Sequence, residues 1–561
     1  MKKIFFGNTQ NFDEIIRSDM IYVDKTRHIH KLLSNPQAYF LCRPRGFGKS
    51  LFLDAIDKAL SGERELFEGL WLDSSDWEFK KTPVIRLSMD FAQTSPGGEL
   101  NKRIMEALEE IAKNFQIEVR NESLDVLFSS LVRNLSAERQ SKVAILVDEY
   151  DAPVMDHIEE PGLARSNLET LAGFYRLINQ LSKHIGFVFV TGVTQLARVG
   201  LGQSSANLVD ISLDPEFADV CGFTHEELDR YFGIYYLDTL ETMIKRRRMN
   251  PKDDVEDLLN RILAWYGGYS FDEFAPYSQA IQRVLNPFSI LNFFAKARFE
   301  NYWVNAGNSM FLSRMISRQP KSYLELDLKN VDSTTLSSLD FAELNNIALL
   351  FQTGYLTLDR VKMTPGRGRV GLVRTLVLRE ANKEAREALR KSLLLSIFGI
   401  KAQHVSTIAE TLRRAVVSRD AQTLARIFSD ALERLSGHES VPLGKYCLSG
   451  LHMFIYGLGF SSKRVFSSAR ARSKLRISLS RDVQAIIEVE YVAEMSANVS
   501  KEEKKKLMGD LADASVKRID DDDFGDQSRK AVKDLVKIGL AIHYRGDVAV
   551  TVAPPKASRG K

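Results

Sequence analysis

Arg43-Pro44-Arg45-Gly46-Phe47-Gly48-Lys49-Ser50 is the stretch on which the fold turns. A short apolar run, Ala38-Tyr39-Phe40-Leu41-Cys42, precedes it and reads as a buried strand. Leu51, Phe52, Leu53, Ala55, Ile56 and Leu60 follow at spacings that give a helix one apolar face. A strand, a tight turn ending in Gly-Lys-Ser and a helix together make a phosphate-binding loop. Its N–H groups and the positive end of the helix favour an anion. Lys49 would reach the β- and γ-phosphates of a nucleotide and the Ser50 hydroxyl would ligate Mg²⁺, with backbone from Arg45, Gly46, Phe47, Gly48 and Leu51 around them. Arg43 stands where the motif G-x-x-x-x-G-K-[ST] has its first glycine, so these eight residues alone also fit a basic turn.

Further along, Val143-Ala144-Ile145-Leu146-Val147 is a continuous apolar run of the kind a parallel strand buried on both faces requires. It delivers Asp148-Glu149-Tyr150-Asp151. In a nucleotide hydrolase Asp148 would hold Mg²⁺ and Glu149 would polarise the attacking water. An acidic turn after a core strand would carry the same residues. A third run, Gly186 to Val190, ends in Thr191-Gly192-Val193-Thr194, where Thr191 and Thr194 are candidates to read a γ-phosphate or simply to cap the strand. Thr82 to Leu87 supplies a fourth strand. Helical patterns separate the runs, which predicts a parallel α/β sheet.

These segments resemble the bacterial AAA-ATPase-like proteins that carry a C-terminal PD-(D/E)XK nuclease-type domain. The resemblance runs through Tyr22-Val23-Asp24-Lys25-Thr26, the loop at 43–51, Val147 to Asp151, Thr191 to Thr194 and Asp210 to Asp214. It continues through Cys221-Gly222-Phe223-Thr224, Asn286-Pro287-Phe288-Ser289-Ile290-Leu291, Tyr302-Trp303 and Leu350-Phe351-Gln352-Thr353-Gly354-Tyr355-Leu356. An arginine at the first loop position belongs to that family's pattern. The resemblance covers about residues 1–360, and the pattern along the chain sets out a P-loop ATPase core over 1–225, a helical lid-like region over 226–360 and a linker with a helical segment over 361–436. A restriction-endonuclease-like α/β domain over 437–553 and a tail over 554–561 would follow. The resemblance implies ATP and Mg²⁺ as cofactors.

The last domain departs from the nuclease pattern. A strand at Val483 to Val492 carries Glu488 and Glu490 where Glu-x-Lys is expected; Arg476 occupies the place of the strand-end aspartate and Gly444 that of the helix glutamate. Asp482 is the one acid nearby, in the turn before the strand. The expectation is a nuclease-like fold without cutting activity, with an active ATP-regulated nuclease and a non-hydrolysing nucleotide-bound scaffold as alternatives. Between Ser461 and Arg481 lie Lys463, Arg464, Arg470, Arg472, Lys474, Arg476 and Arg481 with no acid among them, a stripe able to meet DNA or RNA phosphates or to be a solvated hairpin. Arg198 is a candidate finger in cis or, in a homo-oligomer, in trans. Asp520 to Asp526 reads as an acidic surface loop because it lacks the alternation of a calcium loop.

The composition suits such a reading. The 561 residues are 44% hydrophobic and 27% charged, with a net charge of +4 too evenly spread to name a partner. Three cysteines, Cys42, Cys221 and Cys447, lie too far apart in sequence for a disulfide framework or a metal-ligand spacing. No run reaches the roughly 18 apolar residues of a membrane span, and the start is too short for a secretion signal, so a cytoplasmic protein is expected.

Overall fold

The computed structural model describes residues 4, 9–90, 100–196, 208–272, 283–304, 309–326, 328, 331–336, 345–365, 372–438, 441–467, 472–492, 499–519, 534–543 and 547–555. It divides into two compact units, Met1–Ala306 with Asp327–Arg386 and Gly307–Leu326 with Glu387–Lys561.

The first unit is built on five parallel strands, β1 (Ala38–Cys42), β2 (Val84–Ser88), β3 (Val143–Asp148), β4 (Ile185–Gly192) and β5 (Leu208–Asp210), in the order β2-β3-β4-β1-β5. The sheet is that of a P-loop-like α/β domain. Every residue from Val143 to Val147 is 0% exposed, which is why this strand carries no polar alternation. β4 lies between β1 and β3, so the strand that leads into the glycine loop and the strand that delivers the acids are one strand apart. In that register Thr191 stands opposite Leu41 and Val190 opposite Val147. The helix Lys49–Leu60 packs on β2, β3 and β4, and Leu124–Arg139 packs on β3.

After β5 the chain turns helical. His225–Phe232 opens on a capping box in which Thr224 and Glu227 satisfy each other's backbone N–H groups. With Tyr236–Lys245, Val255–Tyr266 and Pro287–Lys296 it encloses a core that includes Leu228, Phe232, Tyr266, Phe293 and Phe294. The Phe232 and Phe294 rings stack at 5.0 Å within that core, while Trp303, 1% exposed, packs on Tyr355 with ring centroids 5.1 Å apart. Two antiparallel strands, β6 (Leu356–Pro365) and β7 (Leu372–Glu380), follow, and the glycine-rich residues 366–371 expected as a hairpin or linker lie outside the described residues.

The second unit sets helices Ala402–Ser418, Ala421–Ser436 and Leu443–Gly457 with a mixed sheet of β8 (Ser461–Ser467), β9 (Arg472–Ser478), β10 (Val483–Val492), β11 (Asp534–His543) and β12 (Val548–Val552), in the order β12-β11-β10-β9-β8. β10 and β11 are parallel and the other neighbours antiparallel. Helix Lys501–Lys517 lies between β10 and β11 in the chain and rests directly on β11: a Cβ at Gly539 would come within 1.9 Å of the Ala512 carbonyl oxygen.

Candidate nucleotide site

The loop after β1 adopts the backbone its glycines permit. Gly46 and Gly48 take φ of +78° and +91°, and Gly48 is the N-cap of the helix Lys49–Leu60. Five consecutive carbonyls of the loop are engaged. Those of Arg43 and Pro44 accept from Lys49 Nζ at 2.9 and 3.2 Å. The Arg45 carbonyl accepts from Asn286 Nδ2 at 3.5 Å, Gly46 from Phe288 N at 3.2 Å and Phe47 from Gly222 N at 3.3 Å. The N–H groups of Gly46, Phe47 and Gly48 donate to no described residue. Carbonyls tied on one side and N–H groups left at a helix N-terminus make an anion-binding concavity.

Side chains of the loop divide by role. Phe47 is 1% exposed, edge-on to Tyr269 and Phe271 at 4.8 and 5.4 Å, so toward a ligand it offers backbone alone. Arg45 is exposed and Ser50 and Leu51 are half-buried. Lys49 is buried, and that burial pushes its pKa down against the opposing pull of Asp148 and Asp151. Arg43 turns away from the concavity. Its Nη1 donates to the Cys42 and Ser212 carbonyls at 2.8 and 2.6 Å, and its Nη2 to Phe217 O at 2.8 Å.

The acids follow β3. Asp148 is buried, and its Oδ1 accepts from Thr191 Oγ1 at 2.6 Å and from Glu149 N at 2.9 Å. Glu149 holds a left-handed φ of +49°, a conformation that costs a non-glycine residue energy and is kept where surrounding bonds impose it. Its carboxyl is pushed up to about 7, chiefly by burial, then by Asp148 and Asp90, with Lys49 and Arg45 opposing. Asp151, a residue sequence reasoning quoted without giving it a role, accepts from Val193 N, Thr194 N and Thr194 Oγ1. Thr191 and Thr194, expected near a γ-phosphate, thus both give their hydroxyl protons to carboxylates. Asn286 is a second residue that sequence reasoning left without a role. Asn-Pro at a helix start was its signal, since Asn286 Oδ1 caps the helix by accepting Ser289 N while Nδ2 reaches the loop. Arg198 and Asp520 to Asp526 lie outside the described residues.

In the second unit Glu488 and Glu490 face one side of β10, and both meet Arg518. Its Nε donates to Glu488 Oε1 and its Nη2 donates to Glu490 Oε2 at 2.6 Å. Lys474 pairs with Glu488 Oε2 at 3.4 Å. Glu488 is 1% and Lys474 5% exposed, so two cations occupy the place where carboxylates would gather a metal. Asp482 is exposed in the turn at the start of β10, six residues and about 20 Å along the strand from Glu488. Gly444 lies against Tyr491, and residues 490 and 491 point to opposite faces of β10. Of the positions assigned by analogy to a nuclease site, Glu488 and Glu490 thus share a face, while Asp482 and Gly444 lie apart from them. The basic stretch is divided too: Lys474 is internal and Arg464 donates to Leu324 O, while Lys463 and Arg481 are exposed and Arg470 lies outside the described residues. Among the described residues no helix is long and apolar enough to cross a membrane.

Comparison with known proteins agrees with the first unit. A family described as "Predicted AAA-ATPase" matches residues 7–202. A protein of Azotobacter chroococcum mcd 1, named only as an uncharacterized protein in the vnfD 5′ region, is 31% identical over 396 residues, which cover 70% of each chain.

Proposed function

This chain belongs to the predicted AAA-ATPase family, and on that premise we propose that it binds ATP with Mg²⁺ across residues 45–51 and hydrolyses it. The observation that carries the proposal is the loop itself, with five successive carbonyls tied back and three N–H groups left for phosphate oxygens. Lys49 would exchange its two carbonyl partners for phosphate oxygens, replacing neutral acceptors by charged ones. A Mg²⁺ that travels with nucleotide needs only one or two protein oxygens. Ser50 and Asp148 fit that need, because Asp148 Oδ2 makes no hydrogen bond or ion pair with a described residue. Held by Ser50 and Asp148, magnesium would supply charge neutralisation for the phosphates. Glu149, held near a pKa of 7, would take the proton of the attacking water.

The test is nucleotide binding and steady-state phosphate release, with Lys49→Ala and Glu149→Gln beside the wild type. Binding lost in the first and turnover lost in the second, with binding kept, is the expected pattern. Tight binding with no turnover in the wild type would leave a nucleotide-held scaffold.

For the second unit we propose a nuclease-like fold that does not cut, supported by the helix–three-strand–helix–strand order and by Arg518 and Lys474 on Glu488. Exposed Lys463 and Arg481 favour nucleic-acid phosphate as its ligand. Salt-dependent DNA binding without metal-dependent cleavage is the outcome that fits.

A further inference from the structure

Two segments on neighbouring strands repeat the same spacing: Asp148 and Asp151 at the end of β3 and just beyond it, Thr191 and Thr194 at the end of β4 and just beyond it. They are joined rung by rung. Thr191 Oγ1 donates to Asp148 Oδ1 at 2.6 Å, and Thr194 Oγ1 donates to Asp151 Oδ2 at 2.6 Å. Between these rungs Tyr150 N donates to Thr191 O at 3.0 Å and the Tyr150 hydroxyl to Thr194 O at 2.7 Å. Gly192 leaves the necessary room, since a Cβ there would come within 2.5 Å of Asp151 Oδ1 and of the Tyr150 ring.

Asp148 Oδ1 takes both of its carboxylate's donors, the Thr191 side-chain hydroxyl and the backbone N–H of Glu149. A carboxylate fixed at one oxygen by two such donors cannot rotate about its terminal torsion, so Oδ2 is aimed in one direction. Thr191 is β-branched, 0% exposed and seated on a central strand, which stiffens its own χ1. A hydroxyl has one proton to donate. While Thr191 gives it to Asp148, none remains for a phosphate oxygen, which at neutral pH can only accept.

From this we infer that Thr191 is a positioning residue for the metal-binding carboxylate: it selects which oxygen of Asp148 meets Mg²⁺, and the nucleotide's γ-phosphate is read elsewhere. The inference rests on the ATP–Mg²⁺ reading above. Thr194 does for Asp151 what Thr191 does for Asp148, and through Asp151 it fixes the turn that carries Glu149.

The experiment uses the full chain with Thr191→Val, which keeps shape and removes the donor, and Thr191→Ser, which keeps the donor. Affinity for a fluorescent ATP analogue is measured in EDTA and across a Mg²⁺ titration, with ADP as competitor. Loss of a hydrogen bond to a charged group predicts a half-saturating Mg²⁺ about tenfold higher in Thr191→Val. Metal-free affinity should stay within about twofold, the ATP-to-ADP preference should be unchanged, and Thr191→Ser should track the wild type. Should Thr191→Val not fold, Thr191→Cys, a weak donor of similar size, takes its place with the same expected order. Loss of ATP-over-ADP preference at an unchanged metal requirement would make Thr191 a phosphate reader and overturn the inference, as would no change in either quantity. A wild type that binds no nucleotide overturns both this inference and the ATP reading, which separates the two failures.

Discussion

The guanidinium carbon of Arg43 sits 4.1 Å from the centroid of the Phe271 ring, in the position where a phosphate loop commonly has its first glycine. The charge is 1% exposed and is held by that ring and by three carbonyls, of Cys42, Ser212 and Phe217. Burial lowers its pKa to about 10, so it stays protonated at neutral pH. Arg43→Gly, which restores the common motif, should therefore destabilise the first unit by roughly 3 kcal/mol and weaken nucleotide binding. A urea melt and a nucleotide titration check this; a variant as stable and as tight as wild type would remove the anchoring role.

Glu149 gives a pH signature. Its folded pKa of about 7 lies above the ordinary value of 4.5, so the folded state disfavours the charged form. Glu149's contribution to wild-type stability then falls as pH rises from 4.5 to 7 and is constant beyond. Glu149→Gln should gain on the wild type across that window, by roughly 1–2 kcal/mol above pH 7 once partial exposure is allowed for, and not below pH 4.5. Paired melts at pH 4.5 and 8 test it; equal differences at both would contradict the shift.

Gly354 touches the loop from far along the chain. At φ +89°, a Cβ there would come 2.8 Å from Pro44 Cβ and 3.3 Å from Trp303. Gly69, at φ +77° with nothing within 4 Å of such a Cβ, shares the backbone cost of about 1 kcal/mol without the collision. Gly354→Ala should raise the ATP dissociation constant severalfold, and Gly69→Ala should leave it unchanged. Equal effects would mean that Gly354 does not bear on the loop.

Arg518→Ala removes a cation from Glu488 and Glu490 and leaves Glu488 with Lys474. A buried ion network that loses one partner is destabilised by roughly 3 kcal/mol. The second unit should melt earlier, and no DNA cleavage should appear with Mg²⁺ or Mn²⁺. Metal-dependent cutting by the variant would show that the arginine masks a working site.

The sheet was legible because its central strands are buried on both faces and so spell out as unbroken apolar runs. β10 was expected over Val483 to Val492 and lies there, since Ala485, Ile486 and Ile487 make the same signal. β5 was not, being three residues long with Val209 exposed on an edge. The glycine loop could be read from spacing, but not what holds it: Arg43 meets Phe217, and Arg45 meets Asn286, across 174 and 241 residues of chain. Lys474 reads in sequence as part of a basic stripe, phosphate-binding or solvated. Only the pairing that sets it opposite Glu488 shows it to be internal.

The tied-back loop carries a consequence for how this protein comes into being. Its carbonyls are held by Gly222, Asn286 and Phe288, and its proline is braced by Gly354, all synthesised well after Ser50 has left the ribosome. At about 5–20 residues per second, Gly354 follows Ser50 by some 15–60 s. A nascent chain that ends with the family's matched segment at residue 202 would own every residue of the motif and lack the braces that shape it. Expressed fragments cut at that point should make a sheet with a slack loop and little hold on nucleotide, whereas those extending past Leu356 should bind.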